Sequence, residues 1–150
     1  MKKKCCVISN IVLLCWYFLA MIGVYFENSY LVTRSYKDEW IFMVITLIAF
    51  IVFLLKEKIG KFILIIWLLM WFVTQFLSHE WYTIYGSGFM GSMEGKIEYF
   101  KGAIKFSNSK TVYIPDVYHT ILHILIIVTL VITIIYSVDK KKRNKFQIVE

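Results

Sequence analysis

The sequence predicts an all-α membrane fold, a bundle of four transmembrane helices forming one domain over residues 1–150, and three features predict it. Apolar residues make up 59% of the 150 residues, above the roughly one half found in ordinary soluble domains. The charged residues fall in clusters, and the long runs between them hold none, the pattern of a chain whose solvent is lipid. The longest polar stretch, residues 79–116, is too short to hide a separate soluble domain beside the membrane part.

Four apolar runs define the elements. Val7–Phe26 has 20 residues without a charge, Trp40–Leu55 has 16, Phe62–Ser78 has 17 and Val117–Val138 has 22. A helix rising 1.5 Å per residue needs about 20 residues to cross a ~30 Å hydrocarbon core, and about 17 at the least. The second run is completed by Glu39 at the interface and by Lys56 and Lys58 reaching outward on their alkyl stems. Predicted helices therefore cover about 7–26, 39–55, 62–78 and 117–138, with Lys56–Lys61 as a tight polar turn.

The first run follows Lys2–Lys4 as a signal peptide would. It is long, no small-x-small cleavage pattern follows it, and the bulky Leu13-Leu14 before Cys15 does not suit a lipoprotein site, so it is read as an uncleaved helix. Cys5, Cys6 and Cys15 all lie at or inside this run, where no disulfide is expected. Cys5 and Cys6 read as small apolar residues at a helix entrance in preference to acylation sites.

Lysine and arginine counts set the orientation. Eleven lie in the N-terminus, the Lys56–Lys61 turn and the tail from Asp139 onward, against six in the two segments on the other side. Both termini are therefore expected in the cytoplasm of a cell-membrane protein. Lys140, Lys141, Lys142 and Arg143 in the basic tail 139–150 are placed to meet anionic lipid headgroups. Tyr25, Tyr30, Trp40, Trp81, Tyr82, Tyr113 and Tyr118 then fall at the outer interface, where amphipathic rings prefer to lie. Between the third and fourth helices stands an outer loop, His79–Asp116. Its alternation in Lys96–Phe100 and Ala103–Phe106, with a turn at Ser107–Lys110 before Thr111–Ile114, is compatible with a small β-hairpin on the membrane.

The residues with most chemistry open the fourth helix. At about 100° per residue, Asp116, His119 and His123 fall within about 60° of one another on one face. Two imidazoles at i, i+4 with a carboxylate a turn earlier have the reach of a transition-metal site. His79, with Glu80 beside it, ends the third helix at the same level, so the candidate ligands are His79, Asp116, His119 and His123. The competing reading is structural, with the histidines hydrogen-bonding between helices. Trp67, Trp71, Thr74 and Ser78 share a face of the third helix, with Gln75 beside them, as helix packing with some interhelical bonds. Gly86–Gly91 fits G-x-G-x-x-G, but it follows a helix, not a strand, so it reads as a loop and not a dinucleotide site.

No Asp, Glu, Lys or Arg lies inside the four runs, which weighs against an ion-coupled transporter. The expected function is that of a small non-enzymatic multi-pass protein, an accessory subunit or an immunity or membrane-stress factor. Its partners would be the lipid bilayer and a membrane protein or peptide met through the outer loop, with no nucleic acid. Two alternatives stand beside it: a membrane metal or redox protein or enzyme using the histidine cluster, and an oligomeric channel or transporter protomer.

Overall fold

A computed structural model describes residues 3–88, 91–107, 109 and 112–146, without the side chains of residues 140–146. In chain order it contains α1 (Lys3–Ile22), β1 (Val24–Tyr25), β2 (Tyr30–Val32), α2 (Tyr36–Leu55), α3 (Glu57–Ser78), α4 (Glu80–Tyr85), α5 (Met93–Tyr99) and α6 (Val117–Phe146). The chain is mostly helical. Four helical segments, with α4 continuing α3, are long and apolar enough to cross a membrane, at mean hydropathies of 1.9 to 2.7.

Where the side chains lie agrees with that composition. Ile8, Ile48, Ile66, Met70 and Ile124 are each more than half exposed, while Asn10, Thr46, Thr129 and Thr133 are essentially inaccessible. In water this arrangement would leave apolar surface on every helix unburied. In lipid it is favourable, because small polar residues allow close helix approach and bond across it. α1 packs on α2 and α6, and α3 packs on the same two helices. Leu13, Phe53, Leu64, Leu68, Leu122 and Ile126 fill the centre. Hydrogen bonds fix the neighbours, as where the Trp67 indole N–H donates 2.9 Å to the Thr46 hydroxyl.

Element boundaries differ from the sequence reading in informative ways. α2 begins at Tyr36, because the Ser35 carbonyl accepts from the backbone N–H groups of Asp38 and Glu39, both at 3.0 Å. The expected turn at Lys56–Lys61 shrinks to Lys56, since α3 starts at Glu57. Gly60 lets the helices close there: a Cβ on it would stand 2.3 Å from the Phe53 Cα. α6 runs past Val138 to Phe146, so the basic tail is helical at its start. The side chains of Lys140, Lys141, Lys142 and Arg143 lie outside the described residues.

The start of α1 and the Tyr136–Ser137 stretch of α6 sit beside the α2–α3 junction. Lys3 Nζ is 3.4 Å from a Glu57 carboxylate oxygen, and the Tyr136 hydroxyl donates to the same carboxylate. The opposite end is covered by a cap built from the β1–β2 hairpin, α4, α5 and residues 100–107 and 112–116. Of the hairpin expected across Lys96–Ile114, Asn108, Lys110 and Thr111 lie outside the described residues, and Ala103–Phe106 takes part only in isolated bridges, Tyr30 with Ala103 and Lys105 with Asp116. Its first segment is corrected: Lys96–Tyr99 belongs to α5, started by Ser92, whose hydroxyl accepts from the Gly95 N–H at 3.1 Å as an N-cap. The hairpin present is β1–β2, with Val24 opposite Val32 and Tyr25 opposite Tyr30. It is stitched to the cap when Tyr30 N–H donates to Gly102 and Ile104 N–H donates to Tyr30, at 3.1 and 3.0 Å. Tyr82, Phe100, Ala103 and Tyr113 form a small core of the cap itself.

Candidate functional site

The cap rests on the ends of α3 and α6, and the histidines meet at that junction. Asp116 precedes α6, and its Oδ1 accepts the His119 backbone N–H at 3.0 Å, an N-cap contact that satisfies one of the helix's open donors. Its Oδ2 accepts from His119 Nδ1 at 2.7 Å. The carboxylate is 1% exposed, so both oxygens are held out of solvent. His79 occupies the break between α3 and α4, where its backbone N–H bonds to Gln75. Its ring stacks on His119 with centroids 4.0 Å apart and planes 21° off parallel. Its Nδ1 lies 2.8 Å from the Tyr113 hydroxyl.

The structure thus brings His79, Asp116 and His119 together, each offering one ligating atom within 4.8 Å of the others. His123, expected in the same set, sits a turn deeper and meets Glu80 instead, Nδ1 to Oε1 at 2.5 Å. A carboxylate only accepts unless it is protonated, so Asp116 and Glu80 make the Nδ1 of His119 and His123 donors. His123 Nε2 and Glu80 Oε2 are buried with no hydrogen-bond partner among the described residues. The donor set of His79, Asp116 and His119 is one that nitrogen- and oxygen-ligated transition metals accept.

Two cavities open beside the histidine pair. One, of about 170 Å³, lies among the helices and is lined by Tyr17, Glu39, Trp71, Gln75, His79 and His119, among others. Gln75 is 7% exposed and its Nε2 has no partner among the described residues. The second, of about 450 Å³, lies under the cap and shares Glu39, Ser78, His79 and His119 with the first, adding Ser92, Lys96, Tyr99 and Phe100. Of the α3 stripe, Trp71, Thr74 and Ser78 line the inner cavity with Gln75, while Trp67 packs against α2.

Electrostatics in the cap follow from burial. Lys96 Nζ lies 5.2 to 5.9 Å from the ring centres of Tyr82, Phe100 and Tyr113. Burial lowers its pKa, and the charge of Asp116 offsets only part of that. Burial, then the charges of Asp116 and Glu80, push the Tyr113 phenol far up, so it faces His79 as a protonated hydroxyl.

Sequence reasoning placed several of these residues differently. Tyr82, Tyr113 and Tyr118 were expected in the interface belt and are fully buried, whereas Tyr25 and Trp40 are more than half exposed. Glu39, expected only to finish a helix, lines both cavities. Its place one residue before an apolar run at the histidines' level was the available signal. Gly86 ends α4 with φ 66°, and the Tyr82 hydroxyl donates to the Gly91 carbonyl at 3.3 Å, which ties Gly91 to the cap. Phe89 and Met90 lie outside the described residues. The chain matches no family model, no curated protein and no solved structure, and the geometry alone carries the functional argument.

Proposed function

We propose that this chain is a small multi-pass protein of the cell membrane, a four-helix bundle with both termini cytoplasmic and the cap on the outer face. It works by binding: the cap receives a segment of a membrane-protein or peptide partner, as an accessory or protective protein would. The observation that carries this reading is the 450 Å³ cavity between the cap and the helix ends. That volume is in the range of binding pockets, and its walls combine apolar rings with a few convergent polar groups, as such pockets do. Lys96, Glu39 and the histidines supply charge and hydrogen bonds, and Tyr99 and Phe100 supply aromatic surface. Tyr99, which lines the cavity, is 65% exposed and gives its rim apolar contact area of its own.

The orientation is tested with reporters. One fused after Lys145 should be active only in the cytoplasm and one inserted near Ser92 only outside; an exterior C-terminal reporter would reverse the assignment. Binding is tested by photocrosslinking in intact cells from position 99 and, as a lipid-facing control, from Ile66. A discrete adduct from position 99 that disappears when Lys96→Glu is added supports the cavity. An adduct pattern indifferent to Lys96, or the same from both positions, removes it.

A further inference from the structure

We infer that His79, His119 and Asp116 form a binding site for one divalent transition-metal ion of the zinc class, which clamps the cap to the helix ends. The inference goes beyond partner binding and does not depend on which partner the cap receives.

The first support is the arrangement of the rings. A metal-ligating histidine usually gives its second ring N–H to a carboxylate or another acceptor, which fixes the tautomer and aims the free nitrogen. His79 has this arrangement, its Nδ1 lying against the Tyr113 hydroxyl, which can accept as well as donate and leaves Nε2 free to ligate. His119 Nδ1 and Asp116 Oδ2 lie 2.7 Å apart, so the ion takes the place of the proton between them, which leaves to solvent, and His119 keeps its other N–H on Nε2. The second support is burial: His79 is 4% and Asp116 1% exposed, and the His119 side chain is 12% exposed. Such polar groups at a helix end of an apolar protein call for partners. The third is independent of the cluster. Gln75, buried and lacking a partner for its Nε2 among the described residues, lines the same inner cavity as His79 and His119. A water on the bound ion would accept that N–H.

The chemistry selects the ion. Two imidazoles with a carboxylate favour zinc, cobalt or nickel over magnesium and calcium, which prefer all-oxygen sites. Bonds of about 2.0–2.2 Å put the donors of a tetrahedral ion roughly 3.3–3.5 Å apart. The present spacing reaches 4.8 Å with the rings stacked, so binding splays the two rings and draws the donors inward. The cavities on either side of the pair leave room for that movement. His79 belongs to the α3–α4 break and Asp116 to the last residue of the cap, so the ion would join the two. His123 is held away by Glu80 and is not a ligand.

The test uses the full chain, purified in detergent without a histidine tag and stripped with a chelator. Dialysed against dilute zinc chloride and analysed by mass spectrometry, it should retain about one zinc per chain. His79→Gln and His119→Gln should each lower zinc retention at least tenfold, in keeping with the loss expected even when an outer-shell partner is removed. Asp116→Asn should weaken binding in the same direction, while His123→Gln keeps full stoichiometry. Helical circular dichroism on each variant verifies folding. Where a variant does not fold, cobalt chloride added to the wild-type chain decides, through the visible bands of four-coordinate cobalt with nitrogen and oxygen donors. No retained zinc and no such bands, or zinc kept by both His79→Gln and His119→Gln, overturns the site.

Discussion

The two ends of the helices handle their buried polar groups in opposite ways. Beside the termini, Glu57 takes the Tyr136 hydroxyl and lies near Lys3, and Lys61 donates to the Ser137 carbonyl at 3.4 Å while lying over the Phe62 ring. Donors there have acceptors, and the backbones close through Gly60. Under the cap, the near sides of the histidines are engaged, but His123 Nε2, Glu80 Oε2 and Gln75 Nε2 lack hydrogen-bond partners among the described residues. Leaving a buried polar atom unmet costs roughly 1–3 kcal/mol. Three such atoms under the cap, against Asn10 Oδ1 alone in the half of the helices nearer the termini among the described residues, fit the proposal that the capped end is the one that binds.

The sharpest way to break this comparison is to force the closed end open. Gly60→Leu would put side-chain atoms where Phe53 and Val52 backbone atoms already lie, 2.3 to 2.5 Å from the first added carbon. Backbone cannot move aside as a side chain can, so the cost should reach about 3 kcal/mol or more, the upper part of the overpacking range. Denaturation in mixed micelles would measure it. The folded fraction should still bind zinc as wild type does, since the histidines lie at the far end. A variant as stable as wild type would mean that the tight α2–α3 approach does not exist.

A smaller effect belongs to the capped end. Asp116→Ala removes both the N-cap acceptor of α6 and the partner of the His119 ring. Loss of a cap typically costs about 1 kcal/mol and up to about 2. Asp116→Asn keeps an oxygen for the backbone N–H and should recover much of that stability without recovering metal affinity. Equal behaviour of the two variants in both assays would make Asp116 a cap and nothing more.

How much of this was legible can be judged from the same residues. The four spans were readable because hydropathy is a property of the chain in one dimension, and lipid leaves the apolar faces outward. Asp116 and His119 were readable as a pair because i, i+3 on a helix fixes their proximity. His123 shares their face, but it lies a turn deeper, and only the tertiary position of Glu80 decides which carboxylate it meets. The meeting of His79 with His119, and the burial of Tyr113, depend on how the cap folds back, which no local pattern encodes. Lys96–Phe100 was ambiguous for a different reason. Its short alternation also fits a helix with Lys96 and Phe100 on one side, and the Ser92 cap settles it. Glu39 and Gln75 enter the site through long-range packing alone.

The pH dependence sharpens the comparison within the cap. Burial lowers the Lys96 pKa, so between that value and the ordinary lysine value the unfolded chain binds more protons than the folded one. Stability must then rise with pH across that window. Tyr30 and Tyr113, whose pKa values burial raises, act in the opposite direction above about pH 10, where the unfolded phenols ionise first. Protease cleavage of the cap should therefore slow as the pH rises through the range just below the ordinary lysine value and quicken above about pH 10. Lys96→Met should flatten the first part of the curve. A cap that loosens steadily as the pH rises toward the ordinary lysine value would contradict the burial of Lys96.

The smallest expected effect is at Lys3, where a close ion pair invites an overestimate. Lys3 Nζ stands 3.4 Å from Glu57, 3.5 Å from the Leu54 carbonyl and 5.5 Å from the Phe53 ring centre. Its side chain is nevertheless 38% exposed against 20% for Glu57, so water and salt screen the pair, and ordering a long side chain offsets part of the attraction. Exposed pairs of this kind contribute about 0.2–1 kcal/mol, and Lys3→Ala should fall in the lower half of that range. Glu57→Ala should cost more, because the buried Tyr136 hydroxyl would lose its acceptor as well. The ranking separates two descriptions of the closed end. If the lysine matters more than the tyrosine, charge pairing holds the termini to the α2–α3 junction. If the tyrosine matters more, as its 3% exposure implies, that end is held by hydrogen bonding and packing, and raising the salt concentration should leave its stability nearly unchanged.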